Sequence, residues 1–348
     1  MELLLKTLTP LWTGGPDAGK VDRLHETGIL GSLRWWTEVL VRGVGGLVSD
    51  PTQGDRNGLD MDIYDKTRSA DRAHLIEAGL CDVSQIFGAT GWRRRFRLDV
   101  HDRTSPAKGF APEIKAQRSY RDKDGQLRTP TWYFRDQPRA GQFSLNIQSL
   151  ASDFSPTIMA GLVQFLADWA AIGARPQMGF GVIEPVNGRI ETRDLYNWIA
   201  CRVGDEQYLT LPSLRNIFLA RVVKPGASDQ ETFNLKYDLR QLFRSDGTLR
   251  HFVMGTVEGE RMASKVKISC PYGDGVIRLW GWLPEQSRQY NGGWTRDRVV
   301  QAIYDFVKPN VQVWREMNSA RDSVAPDCGD ALAFLSDLLG LKEVSDAA

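Results

Sequence analysis

Two spacings of apolar residues alternate along this 348-residue chain. "ELLLKTLTP" places leucines in a short run that ends at Pro10 and reads as a strand. A helix is expected from Gly31-Ser32, because Leu33, Trp36, Leu40 and Val44 fall on one stripe while Arg34, Trp35 and Arg42 project elsewhere. "WRRRFRLDV" and "GQFSLNIQS" read as two further strands. Ser155-Pro156 then supplies a cap residue and a first-turn proline for a second helix. Its buried stripe is Ile158, Leu162, Phe165, Trp169 and Ile172, and "IGARPQMGFGVIEP" breaks it before a short strand. Strand, helix, strands, helix, strand is the order of a ferredoxin-like domain.

After a short helix near Thr192 to Val203, the second half repeats this vocabulary. "RNIFLARVV", "LRHFVMGTV", "SKVKISCPY" and "VIRLWGWLP" read as strands, and "TFNLKYDLRQLF" as a helix. Two more helices are predicted at Thr295 to Val307, with Val299, Ile303 and Phe306 on one face, and at Asp330 to Leu339. The expectation is an α+β chain of two domains, residues 1–205 with long insertions and 206–348 with extra helices. One polar stretch, Ser49 to Arg72, reads as an exposed insertion. A second, His101 to Pro138, carries Lys115, Arg118, Arg121, Lys123 and Arg128, and loops of that length are usually functional or disordered. Trp132, Tyr133 and Phe134 within it would be exposed apolar residues suited to a protein partner.

Composition narrows the class only slightly. Lys plus Arg number 44 and Asp plus Glu 43, so only local clustering of charge can speak for an acidic partner. Cys81, Cys201, Cys270 and Cys328 are widely separated and form no C-x-x-C, which indicates neither a zinc knuckle nor a disulfide scaffold. No apolar run approaches the roughly 20 residues of a membrane span, and "MELLLKTLTPLW" is too short and too acidic for a signal peptide. A reducing cytoplasm is the simplest compartment, with no membrane partner and no cofactor expected.

Three segments carry candidate chemistry. In "TGGPDAGKVD", Gly14, Gly19 and Lys20 fit the first seven positions of a phosphate-binding G-x-x-x-x-G-K-[ST] loop. Val21 then replaces the magnesium-binding hydroxyl, Pro16 removes an amide, and the helix begins late, so nucleotide binding is not expected. In "ETGILGSLRWW", Gly28 and Gly31 precede Ser32 at a helix entry, where free amides with Arg34 could hold a phosphate. An ordinary capped helix with tryptophans in the core fits the same letters. In "GARPQMGFGVIEP", Gly173, Gly179 and Gly181 could let the backbone lie against a ligand, with Arg175 and Gln177 as its polar groups, or could serve a tight turn. "HETGI" lacks the second histidine of H-E-x-x-H, and Ser32 is not in G-x-S-x-G.

Together these segments resemble the RAMP proteins of CRISPR–Cas systems. "GSLRWW", with "HFVMG", "GERMASKVKIS" and "RLWGWLP" later on, is similar to the family of the subunit numbered one of the type III-B (Cmr) effector complex. The resemblance implies two ferredoxin-like (RRM-like) domains, with the glycine-rich loop as a hallmark. It also implies a ribonucleoprotein role in antiviral defence. The partners would be CRISPR RNA, complementary target RNA and other Cmr subunits, with contact near the guide 3′ end and no cutting of the target. Because base pairing supplies sequence, the protein need read only backbone and shape. Candidate RNA contacts are Lys20, Arg23, His25, Ser32, Arg34, Arg93, Arg95, Arg175, Gln177, Lys265 and Lys267. On a strand, Arg93 and Arg95 would share a face with Arg97, and Lys265 with Lys267 would line the cleft between domains. Relatives that cut RNA use an Asp after the first strand or a His near the first helix. Asp22 and His25 are therefore the catalytic candidates for the alternative, an endoribonuclease.

Overall fold

The computed structural model describes residues 1–17, 19–50, 58–122, 124–257 and 259–341. Lys123 and residues 51–57 of the expected polar insertion lie outside the described residues. In the first half, β1 (Glu2–Thr7) is followed by α1 (Glu26–Gly43), β2 (Phe96–Pro106), β3 (Arg139–Ser149), α2 (Pro156–Trp169) and β4 (Ile183–Pro185). The strands form one antiparallel sheet in the order β2-β3-β1-β4. Alternation along β1 buries Leu3 and Leu5 against the helices, and Leu5 pairs with Phe143 on one side and Pro185 on the other. Ser155 caps α2 by accepting from the Thr157 amide, with Pro156 in the first turn.

Helix α1 starts at Glu26, five residues before the position that the apolar stripe suggests. Glu26 lies in its first turn, where a carboxylate suits the positive helix end. Gly28 is kept inside the helix by a close approach: a Cβ there would lie 2.7 Å from the Thr13 carbonyl oxygen.

The second half has the same order. Strand β5 (Ile217–Val223) leads to α3 (Asp229–Gln241), α4 (Gly247–Met254), β6 (Val266–Ile268), β7 (Val276–Trp282), α5 (Arg296–Val307) and β8 (Val311–Arg315). Its sheet runs β6-β7-β5-β8, again antiparallel. Helix α4 takes up the first six residues of "LRHFVMGTV", a segment expected from its sequence to be a strand. Asp246 caps it through the Leu249 amide, and Leu249, Phe252 and Val253 are buried at helical spacing. A final helix, α6 (Ala331–Leu338), packs back on the first half, where Trp169 Nε1 donates to the Leu338 carbonyl at 2.9 Å.

Two expectations about the first half change. Strand β2 begins at Phe96, so Arg93 and Arg95 lie in the turn before it and do not alternate with Arg97. The polar stretch after His101 is not a loose loop. Strand β2 runs on to Pro106, Glu113–Lys115 pairs with Thr131–Tyr133, and Tyr120–Arg121 pairs with Leu127–Arg128. Phe110, Ile114 and Phe134 join Trp12, Val21, Phe180 and Phe233 in a separate apolar cluster. Of the three aromatics expected to be exposed, only Tyr133 is: Phe134 is buried and Trp132 stacks on Phe233 with centroids 4.2 Å apart.

Two of the contacts that fasten the halves lie on opposite flanks. The buried Arg278 of β7 sends Nη1 to the carbonyls of Leu166 (3.1 Å) and Ala170 (2.8 Å) and Nη2 to that of Ala167, closing the C-terminal end of α2. Its Nε donates to the Tyr272 hydroxyl at 3.0 Å. Helix ends leave such carbonyls without intrahelical partners, and a guanidinium also complements their partial negative charge. On the other flank the insertion clasps α3. Arg118 forms a two-pronged pair with Asp238 (2.9 and 2.7 Å), and the Gln117 amide donates to Asn234 Oδ1 at 2.7 Å. Replacing Arg278 with Met is expected to lower the unfolding free energy by about 2–4 kcal/mol, since it orphans buried carbonyls. A thermal melt unchanged by Arg278→Met would contradict this account of the interface.

Candidate nucleic-acid interface

The opening loop does not form a phosphate cradle. Lys20 Nζ lies 3.1 Å from Asp17 Oδ2, and both side chains are exposed. Val21 is buried in the apolar cluster and its amide donates to Asp136 Oδ2 at 2.7 Å. Arg23 pairs with Glu26 at 3.3 Å and donates to its neighbour's carbonyl on Leu24. His25 Nε2 meets Asp22 Oδ1 at 2.7 Å, and this hydrogen bond is the largest of the causes that hold the Asp22 carboxyl below its usual range. Asp22 and His25 are therefore partners of each other at the surface. Arg34 is held within the first half by Glu38 Oε1 (3.2 Å) and the Gly88 carbonyl (3.3 Å).

Ser32 joins α1 to the glycine-rich loop. Its Oγ accepts from the Gly173 amide at 2.9 Å and lies 3.2 Å from both the Gly28 and Gly173 carbonyl oxygens. The loop then turns through Arg175, a non-glycine residue at φ 58°, into a 3-10 turn at Pro176–Met178. Gly173, Gly179 and Gly181 all have positive φ. At Gly179 a Cβ would stand 2.5 Å from Cys270 Sγ, and its carbonyl accepts from the Cys270 amide at 2.9 Å. Only glycine lets the loop lie this close to the chain leaving β6.

This joint opens into a cleft of about 610 Å³ between the halves. Gly28, Gly31, Ser32 and Gly173 line one wall, and Lys265, Lys267, Trp280 and Trp282 the other. Lys265 Nζ donates to the Phe252 carbonyl at 3.2 Å and sits 3.9 Å from the centre of the Phe252 ring. Lys267 Nζ donates to the Ser264 carbonyl. Burial pushes Lys265 down to about 8 and, with repulsion from Lys236 and Lys265, Lys267 down to about 7. Lys236 of α3 completes the group. Its Nζ donates to the Gln177 carbonyl at 3.0 Å and lies 5.6 Å from the Trp132 ring centre, and burial with the nearby Arg240 pushes it down to about 7. None of the three lysines has an ion pair among the described residues. Three crowded ammonium groups without a carboxylate form a site whose missing counter-charge is an anion.

The cleft thus gathers Gly28, Gly31, Ser32, Gly173, Lys265 and Lys267, with Gln177 contributing its backbone carbonyl at the edge. It does not gather the others. Arg175 lies over the Trp12 ring, 3.9 Å from its centre. Arg95 pairs with Asp153 at 3.1 Å, and Arg93 is exposed in the turn before β2. Lys20, Arg23, His25 and Arg34 have the local partners described above. Lys236 went unread in the sequence. Its only signal there was a basic residue between Leu235 and Leu239, three positions after Phe233, close to the apolar side of a predicted helix. Among the described residues, no group of three or more His, Cys, Asp or Glu is placed to hold a metal ion, and no helix is long and apolar enough to cross a membrane.

Solved structures resemble the chain over most of its length. Cmr1 from Pyrococcus furiosus in its apo form is 15% identical, with 88% of this chain and 96% of that one covered and a TM-score of 0.41. A chain of the type III-B Cmr-beta assembly bound to cognate target RNA and AMPPnP, in the presence of ssDNA, is 10% identical, with 89% and 98% covered and a TM-score of 0.44. A chain of Cmr-beta bound to cognate target RNA gives 11% identity, 87% and 99% coverage and a TM-score of 0.40. No curated protein matches. The model of the RAMP superfamily matches residues 4–184, more than half of the chain. With that match over β1, α1, the first sheet and the glycine-rich loop, the chain belongs to the RAMP superfamily.

Proposed function

We propose that this protein is a non-catalytic RNA-binding subunit of a type III-B CRISPR (Cmr) effector complex in the cytoplasm. In this reading it is built of two ferredoxin-like units, residues 1–205 and 206–348, and works beside other Cmr subunits near the 3′ end of the guide, touching guide or target RNA. The observation that carries the RNA contact is the cleft lined by Lys265 and Lys267 beside the glycine-rich loop, with Lys236 behind it on the Gln177 carbonyl and no acidic partner for any of the three among the described residues. RAMP membership and the resemblance of "GSLRWW" and "GERMASKVKIS" to the Cmr subunit support the choice of complex. A backbone phosphate entering the cleft supplies the counter-charge that the fold omits, and draws the lysines back to their charged form. Trp35 and Trp282, the partly exposed tryptophans of its lining, offer flat apolar surface to bases, which stack on aromatic rings regardless of sequence.

A salt series with single-stranded RNA tests this reading. Lys267→Met is expected to weaken binding about tenfold and to reduce the slope of log affinity against log salt by about 0.7, the share of one phosphate contact on a single strand. Binding that is absent, or independent of salt, overturns the proposal.

The depressed lysines also give opposite signs to binding and stability. Their folded-state values, about 7 for Lys236 and Lys267 and about 8 for Lys265, lie below the ordinary 10.5. Above pH 7 the folded chain sheds protons that the unfolded chain keeps, so their unfavourable contribution is relieved as pH rises. From pH 7 to 9, RNA affinity should fall while the lysine contribution to stability rises. Parallel binding titrations and denaturant melts check this, the control being a Lys236→Met, Lys267→Met double variant in which both trends shrink to the share of Lys265.

The exposed Asp22–His25 pair is the place where catalysis would reside. Labelled guide and target RNAs incubated with the pure protein and magnesium are expected to stay intact. A cut that vanishes in Asp22→Ala or His25→Ala would establish the endoribonuclease instead.

A further inference from the structure

We propose that the lysine-lined cleft is built for a phosphomonoester, the terminal phosphate of an RNA strand, in preference to an internal phosphodiester. The proposal rests on the RNA-binding reading and names the chemical group that the same site selects.

The supply of donors is the first argument. An ammonium group has three N–H bonds. Lys236, Lys265 and Lys267 each commit one to a carbonyl of the chain, on Gln177, Phe252 and Ser264 respectively, and Lys265 commits a second, weaker one to Met262 Sδ at 3.7 Å. Donors remain on side chains from two elements, α3 and the β6 segment, with the Gln177 turn between them. A phosphomonoester presents three terminal oxygens and close to two negative charges near neutral pH. An internal phosphodiester presents two free oxygens and one charge.

The charge surroundings point the same way. On α3 the charged group that acts on Lys236 is Arg240, also a cation, whose Nη1 donates to the Gly255 carbonyl, while Glu231 and Asp238 of that helix pair with Lys224 and Arg118. Across the cleft, α1 and the glycine-rich loop contribute Thr27, Ser32, glycines and Pro176, none of them charged. A second negative charge on the ligand is therefore rewarded rather than opposed. The reward is large because Lys265 is only 8% exposed and the walls include Trp35 and Trp282, so the local dielectric is low. The depth at which Lys265 sits also favours an end. A terminal phosphate enters a recess on one covalent bond, whereas an internal phosphate must bring the chain on both sides.

The experiment compares one RNA sequence carrying a 3′-phosphate, a 5′-phosphate or hydroxyls at both ends, with a nucleoside monophosphate and inorganic phosphate as competitors. It uses the full chain at pH 6.5–7. At least one phosphorylated strand is expected to bind about tenfold more tightly than the hydroxyl-ended strand. Its pH profile should be bell-shaped, rising as the phosphate takes its second charge near pH 6 and falling as the lysines discharge. The advantage should vanish in Lys236→Met and Lys267→Met, both of which place apolar chains of similar length in partly buried positions. Stronger binding of the phosphorylated strand than of the monophosphate assigns the group to an RNA end. Equal binding of the two assigns it to a free mononucleotide. Equal affinity for all three strands, with salt-dependent binding intact, overturns the preference and leaves the RNA-binding reading standing. No binding of any strand overturns that reading itself.

Discussion

One guanidinium sets the relation between the two sheets. Arg278 leaves the second sheet and ends among the last carbonyls of α2 in the first. Those carbonyls are strong acceptors at the negative end of a helix, and burial makes them costly to leave unmet. The same contact fixes how far β7 stands from α2 and the adjoining loop, and so fixes the cleft, one wall of which is Lys265, Lys267, Trp280 and Trp282. Gly179 takes up what remains of the spacing by letting the glycine-rich loop rest on Cys270.

Within that frame, polar groups divide into those spent on structure and those left over. The Ser32 hydroxyl, the Arg34 guanidinium and the Asp22–His25 pair all have partners inside the chain. The lysines differ because they meet carbonyls, a thioether and aromatic rings, which satisfy hydrogen bonds without supplying a negative charge. Burying three cations in this way is unfavourable, and burial accordingly pushes Lys236 and Lys267 down from the ordinary lysine range. A cluster of this sort contributes nothing to the fold that apolar residues would not do better, which is why it reads as a place for a ligand.

The main strands and the two long helices of the first half were legible because they rest on local spacing, whereas the short paired strands of the insertion were not. The stripe from Leu33 to Val44 and the cap at Ser155-Pro156 need no knowledge of distant contacts. The second half was harder where elements are short: Leu249, Phe252 and Val253 suit a strand or a single helical face, and the cap at Asp246 decides. The basic run at Arg93 to Arg97 misled because a strand boundary at Phe96 divides it. The site itself was half visible. Lys265 and Lys267 alternate onto one face in the sequence as they do in the cleft. The role of Ser32 was hidden, since its partner Gly173 lies 141 positions away. Lys236 was hidden for the same reason, its burial depending on Trp132 from an insertion about a hundred residues upstream.

That insertion has a consequence for how the chain is made. Gln117 and Asn234, which meet in the clasp, are separated by 117 positions. At a synthesis rate of about 5–20 residues per second, the insertion waits on the order of ten seconds before its partner helix leaves the ribosome. During that interval Trp132 has no Phe233 to stack on, and Phe110 and Phe134 have only the first-half part of their cluster. The nascent first half therefore exposes the face of Trp132 until Phe233 arrives to cover it, so the insertion takes its final form only after α3 has been made.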